Sequence, residues 1–399
     1  MTGGDLGTRL RRWRHALHEH PETAFTERWT SDYLAAELEA LGLAVTRGLG
    51  GTGLVGTLHR GAAGTAAGTA GGTAGAIGLR ADMDALPLHE RGDLPYRSRT
   101  DGVMHACGHD GHMAMVLGAA HVLATEGGFD GTVHVVLQPA EEPGRGADAM
   151  IADGLFERFG MDMVFGIHNT PGHPAGRLST RSGPVMASED NFEIRVTGRG
   201  GHASQPQMVV DPLVVGAEIV LALQTVVARA VPPSEAAVLS CTEFVTDGAR
   251  NAIPGHVVVR GDTRSFSPGV QDLLERRIRE VAHGICAAHG ATCEVTYTHE
   301  FAPTVNHPDA TALAVAAARL TVPEDLVDGD VAPFMGSEDF GVLGRVVPGC
   351  FVFLGNGDEP GAGGNPLHSS DYTFNDDVLE TGVRFYANLV RTALPEAGA

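Results

Sequence analysis

Cys107 and His109 in MHACGHDGH, Glu142 in QPAEEPG, His168 in FGIHN and His368 in PLHSSDY offer one thiol, three imidazoles and a carboxylate. Each lies in a loop or at the end of an apolar run. One divalent cation takes three or four such groups, so five point to two cations sharing a site. Thiolate and imidazole favour zinc, manganese, cobalt or nickel over magnesium or calcium. Glu141, next to Glu142, is left over for proton transfer. Cations that acidify water, beside a carboxylate that moves the proton, make a hydrolytic centre. The expectation is a dinuclear metallohydrolase. The chain has 19 histidines, so no single one carries that expectation; the repeated context does. His89, His121, His134, His256, His283, His289 and His307 read as surface or packing residues, and Asp110 and His112 as supporting groups. In an extended segment, Cys107 and His109 would turn to one side, while Glu141 and Glu142 would point apart.

Buried strands must deliver these groups. VHVVLQP runs apolar into AEEPG, and MDMVFGI runs apolar into HNTPG. Polar groups at the ends of buried strands are where open α/β sheets keep their chemistry. Two helices around HPETAF fill the chain to about residue 42. AIGLRAD, the helical HMAMVLGAAHVLATE, VHVVLQP, the short helix in GADAMIADGLFE and MVFGIHN then alternate in βαβ fashion. This predicts an α/β fold with a mostly parallel or mixed sheet covered by helices. The Gly/Ala/Thr run at 61–76 reads as a hairpin tip between strands 53–59 and 76–81 and carries no function. From NFEIRVTGRG to TCEVTYTHEF the order becomes strand–helix–strand–strand–helix–strand, which suits a ferredoxin-like α+β sandwich. The α/β pattern then resumes with FVFLGNG and a closing helix near 376–392. The economical arrangement is a catalytic domain of residues 1–187 and 303–399 with an inserted domain of residues 188–302.

A length of 399 residues suits two domains, and a hydrophobic fraction of 43% suits a globular chain. No apolar run reads as a membrane span, and MTGGDLGTRLRRWRHAL lacks a signal-peptide core. A formal net charge of −21 argues against a nucleic-acid partner. Five cysteines form no paired framework, which suits reducing cytoplasm.

GLRADMDALPLHE, MHACGHDGHMAM, QPAEEPGRGA, GRGGHASQP, NAIPG, MGSEDF and LHSSDY together resemble the aminoacylase-type metallopeptidases. Within them, the similarity is to the amidohydrolase branch that includes hippurate hydrolases and auxin-conjugate hydrolases, and it covers nearly the whole chain. The resemblance implies that Cys107, His109, Glu142, His168 and His368 bind two divalent metals, and that Glu141 is the general base and then the general acid. It implies that His202 polarises the scissile carbonyl across a domain or dimer interface. Asn251 and Arg264 match positions that bind the substrate's carboxylate or amide, and Gly336, with Ser337, Glu338 and Asp339, matches a loop lining the specificity pocket. Ser337 also reads as a helix N-cap. Asp84 would fix a ligand from behind. Asp82 stands where the wider superfamily has a histidine ligand, and a turn-capping role is open for both aspartates. Gln207 stands where the branch often has a second histidine. His18, His20 and Glu22 look family-like yet read as structural. The inserted domain would serve as lid and dimerisation domain, making a homodimer or higher homo-oligomer. The implied substrates are small N-acyl amino acids, without a membrane partner. The alternatives are an N-acetyl-diaminopimelate-type deacetylase and a non-catalytic, metal-stabilised binding dimer.

Overall fold

The computed structural model describes residues 3–61 and 75–396. By its contacts the chain divides into two compact units. The first comprises Met1–Val185, Val305–Ala332 and Asp339–Ala399, and the second Met186–Thr304 with Pro333–Glu338.

The first unit begins with two helices, α1 (Gly3–Glu19) and α2 (Arg28–Ala40). Five strands follow: β1 (Ala44–Leu49), β2 (Gly53–Arg60), β3 (Ala76–Asp82), β4 (Gly131–Gln138) and β5 (Met163–Pro171). Helix α3 (His109–Glu126) lies between β3 and β4 in sequence. In space the sheet runs β1-β2-β4-β3-β5, then Gly349–Gly357, Leu178–Ser179 and Val327–Asp328. β4, β3, β5 and Gly349–Gly357 form a parallel centre, while β1 and β2 are antiparallel at one edge. The parallel strands are apolar because both their faces are covered. Leu79, Val135, Phe165 and Val352 are buried with Met113, Met115 and Leu117 of α3 and Val383 and Leu389 of the closing helix Leu379–Ala393.

Two expectations change here. β2 and β3 are not a hairpin, because β4 lies between them; most of the run at 61–76 falls outside the described residues. GADAMIADGLFE forms two helical pieces, Gly146–Ala152 and Leu155–Arg158, because Gly154 takes a φ of 86° and breaks the helix.

In the second unit a four-stranded antiparallel sheet runs Ala237–Thr246, His256–Ser265, Glu189–Thr197, Thr292–Phe301. Glu189–Thr197 alternates side chains between core and solvent, as a sheet with one covered face requires. Helices Pro212–Ala230 and Pro268–His289 supply that cover, each starting with a capping Asp211 or Ser267 followed by proline. Pro212–Ala230 corrects the reading of the apolar runs: by length and composition it could cross a membrane. Its stripe of Val215, Ile219, Leu223 and Val226 is buried in this unit's own core, so a helix dressing a sheet meets the same test.

Candidate metal centre

Parallel strands ending side by side bring the predicted ligands of the first unit together. β3 ends at Asp82, level with Gln138 at the end of β4, and His168 lies on the neighbouring β5. Gly108 takes a φ of 93° and α3 starts at His109. Cys107 and His109 therefore do not lie in an extended segment; a left-handed glycine and the first helical turn aim both at one point. Only glycine fits there, since a Cβ would approach Asn169 Oδ1 to 2.2 Å.

Cys107 Sγ lies 3.4 Å from His168 Nε2 and 3.4 Å from His368 Nε2. Its ligand atom makes one triad with His109 and His168 and another with Glu142 and His368, each within 4.8 Å. His109 and His168 present the correct nitrogen for coordination. His109 Nδ1 donates to the Asp84 carbonyl at 2.8 Å, and His168 Nδ1 to the Asn169 carbonyl at 2.7 Å. A carbonyl only accepts, so each ring keeps a hydrogen on Nδ1 and turns its Nε2 to the centre. His368 comes from a strained loop, with a φ of 59°.

Glu141 and Glu142 occupy a turn rather than an extended segment, closed by the Gly144 N–H donating to the Glu141 carbonyl. The expected divergence of the two side chains is therefore corrected: their carboxylates lie 3.9 and 4.0 Å from His109 Nε2. Glu142 also reaches His368 Nε2 at 3.5 Å. Asp84 holds this turn, its two oxygens accepting the Glu141 and Glu142 N–H groups at 3.0 and 3.1 Å. One buried aspartate thus braces both glutamates with its side chain and His109 with its carbonyl.

Burial alone would lower the His109 pKa, but Asp82, Asp84 and Glu142 push it up to about 10. Burial would raise Asp82, yet His109, His112 and Arg80 hold it well below the usual carboxylate range. Burial and His112 depress His168, keeping it neutral. The surroundings of His109 thus favour positive charge. Its buried Nε2 and Glu142 Oε1 have no hydrogen-bond partner among the described residues. Buried polar atoms are rarely left so. These residues fit a divalent cation held by sulfur, nitrogen and oxygen.

Sequence reasoning read His112 only as a supporting group and gave Arg80 and Gln138 no role at this centre. His112 Nδ1 donates to Asp82 Oδ1 at 2.7 Å, and its ring centroid lies 4.6 Å from that of His168. The His109–His112 spacing of three on α3 could have signalled this, since such residues share a helix face. Arg80 donates to Gln138, Asp82 and Asp339 at 2.9, 2.7 and 2.9 Å. No local pattern announces that network, whose partners come from three separate segments.

The remaining predicted residues belong to the second unit. His202 pairs with Ala252 between the short strands Gly201–His202 and Ala252–Ile253, and the Asn251 carbonyl accepts the Ala203 N–H at 3.0 Å. His202 and Asn251 therefore come together. The Ser204 N–H donates to His202 Nδ1 at 3.1 Å, which leaves the ring hydrogen of a neutral His202 on Nε2. Arg264 forms ion pairs with Asp262 at 2.8 Å and Glu189 at 2.9 Å and donates to Ser337 Oγ at 2.7 Å. Ser337 is no N-cap, because the helix begins at Phe340. Gly336 follows Met335, whose carbonyl also accepts from Arg264, and a Cβ at 336 would meet the Phe334 ring at 2.2 Å.

Residues 78–392 match the model of peptidase family M20/M25/M40. The chain is 37% identical to a hippurate hydrolase of Campylobacter jejuni over 96% of each chain. It is 34% identical to an N-acetylcysteine deacetylase of Bacillus subtilis, again over 96% of each. Among solved structures, a Bacillus subtilis dinuclear metal-binding peptidase of the M20 family superposes with a TM-score of 0.82 at 30% identity, covering 98% of this chain and 99% of that one.

Proposed function

Because the chain belongs to peptidase family M20/M25/M40, we propose that it is a dinuclear metal-dependent amidohydrolase that splits small N-acyl amino acids into a carboxylic acid and a free amino acid. One observation carries this reading: two ligand triads share Cys107, and within them the buried His109 Nε2 and Glu142 Oε1 have no hydrogen-bond partner among the described residues. Cys107, His109, Glu142, His168 and His368 would hold two cations of zinc, manganese, cobalt or nickel. When bound, the cations supply Lewis acidity and lower the pKa of water at the site.

The chain's residues do the rest. The two triads that share Cys107 account for the five proposed ligands, and Glu141, 3.9 Å from His109 Nε2, takes a proton from the attacking water and returns it to the leaving amine. Asp84, by holding both glutamate N–H groups, fixes the division of labour between them. His202, with its hydrogen on Nε2, donates to the oxygen of the scissile amide, where negative charge develops. Asn251 and Gly336 line the substrate's path, and Arg264, whose fork now holds Asp262, Glu189, Ser337 and the Met335 carbonyl, meets the amino-acid carboxylate by giving up one of the two neutral partners.

The second unit also acts as a lid and as the surface for self-association. Its edge strand Ala237–Thr246 leaves Phe244 and Val245 exposed, and helix Pro212–Ala230 leaves Val214 and Leu221 exposed. The free state of all five cysteines suits the cytoplasm. Glu141→Gln tests the assignment of the base. It should retain metal while hydrolysis of N-benzoylglycine falls; loss of metal along with activity would make Glu141 a ligand instead.

A further inference from the structure

Three residues other than glycine have positive φ among the described residues: Phe25 at 60°, Ala140 at 49° and His368 at 59°. Side chains with a Cβ rarely adopt this region, and such residues persist where their surroundings over-determine them. Two of the three share one cause. The Phe25 and Ala140 N–H groups both donate to Glu27 Oε1, at 2.9 and 3.0 Å. The Thr52 hydroxyl donates to the other oxygen at 2.5 Å. Glu27 is fully buried. Burial pushes its pKa up, and the hydrogen bonds from Thr52 and the Ala140 N–H oppose that rise.

Glu27 stands at the N-cap of α2 but makes no side-chain cap bond. Glu22 does that work instead, accepting from the Trp29 and Thr30 N–H groups at 3.1 and 2.9 Å. The Glu27 carboxylate is thus free of helix capping and aimed at the residue before Glu141. Three successive N–H groups, those of Ala140, Glu141 and Glu142, end on two buried carboxylates, Glu27 and Asp84. The Ala140 carbonyl accepts from Gly146 at 2.9 Å, a closure that only glycine permits, since a Cβ at 146 would lie 1.6 Å from the Pro139 oxygen. Ala140 is therefore held on both sides of its Cα, and Glu27 is the only one of these anchors supplied from the N-terminal helical hairpin.

We propose that Glu27 is a positioning residue for proton transfer: by fixing Ala140 in its left-handed conformation it sets the direction of the Glu141 side chain. This rests on the reading of Glu141 as the base. Without Glu27 the Ala140 N–H is left without its acceptor, Ala140 relaxes toward ordinary φ, and the Glu141 carboxylate swings from its working place. A displacement of about 1 Å in a catalytic group costs roughly 100-fold in rate.

The test compares Glu27→Ala, Glu27→Asp, Glu27→Gln and Glu27→Ala/Ala140→Gly, using N-benzoylglycine hydrolysis and metal content. Glu27→Gln keeps an oxygen for both N–H groups and should retain most activity. Glu27→Ala and Glu27→Asp should lower kcat by roughly 100-fold, with KM changed less than about twofold and metal content at the wild-type level. Glycine reaches positive φ without strain, so Ala140→Gly should restore part of the kcat lost in Glu27→Ala. Where Glu27→Ala fails to fold, Glu27→Asp carries the test, because it keeps the charge and shortens the reach. An undiminished kcat in Glu27→Ala or Glu27→Asp would overturn the proposal. So would a Gln variant no better than Ala, or loss of metal in step with activity. If Glu141→Gln is as active as the wild type, the reading of Glu141 fails first and takes this inference with it.

Discussion

At the residue scale, the centre is a set of donor groups whose orientation the chain itself fixes. The Asp84 and Asn169 carbonyls hold the hydrogens of His109 and His168 on Nδ1, and the Asp84 carboxylate holds the glutamate turn. Replacing Glu141 by Gln should lower kcat by roughly 100- to 10,000-fold, the range for general acid–base catalysis, with metal content unchanged by elemental analysis. Asp84→Asn turns an amide NH2 toward one of two buried N–H donors. It should lower stability by about 1–3 kcal/mol in a denaturant titration and weaken metal retention. The types of these residues were legible in the sequence, because thiol, imidazole and carboxylate stood where apolar runs ended. Their directions were not. Gly108 in a left-handed conformation aims Cys107 and His109, and a turn aims Glu141 and Glu142; alternation along an extended chain describes neither pair.

At the element scale, α1 is fastened to α3 by buried charge. Arg14 pairs with Asp110 at 2.9 Å and with Asp376, and His18 donates to Asp110 at 2.8 Å and contacts Glu90 at 3.2 Å. Asp110 follows His109, so α1 bears on the segment that carries the centre. Burial would lower the His18 pKa, but hydrogen bonds to Asp110 and Glu90 raise it above its ordinary 6.5. Its stabilising contribution is therefore complete below pH 6.5 and lost as pH rises through the folded value. Burial would raise Asp110, yet Arg14 and His18 hold it far below its ordinary 3.8, so its contribution is complete above 3.8 and lost as pH falls. The chain's two tryptophans, Trp13 and Trp29, both lie in α1 and α2. A urea midpoint followed by tryptophan fluorescence should fall on both the alkaline and the acid side. His18→Gln should flatten the alkaline fall and leave the acid one; an unchanged alkaline limb would contradict the account. The two helices around HPETAF were legible in the sequence. It could not reveal that His18 of LHEHPE faces a buried aspartate, because the two are 92 residues apart.

At the scale of the whole molecule, βαβ alternation and its interruption were legible, while the position of β4 between β2 and β3 was not, since strand order is set by crossovers that local sequence does not encode. The exposed apolar groups of the second unit should support self-association. Introducing charge with Leu221→Glu and Val245→Lys should shift sedimentation toward the monomer, and an unchanged distribution would remove that surface from the account. The central claim is hydrolysis of N-acyl amino acids by a two-cation centre. Its most direct test is amine release from N-acetyl and N-benzoyl amino acids by chelated protein titrated with manganese, zinc, cobalt or nickel. The account predicts no release without metal and release that climbs to a plateau near two cations per chain. Folded, metal-loaded protein that releases no amine from any of them would contradict it.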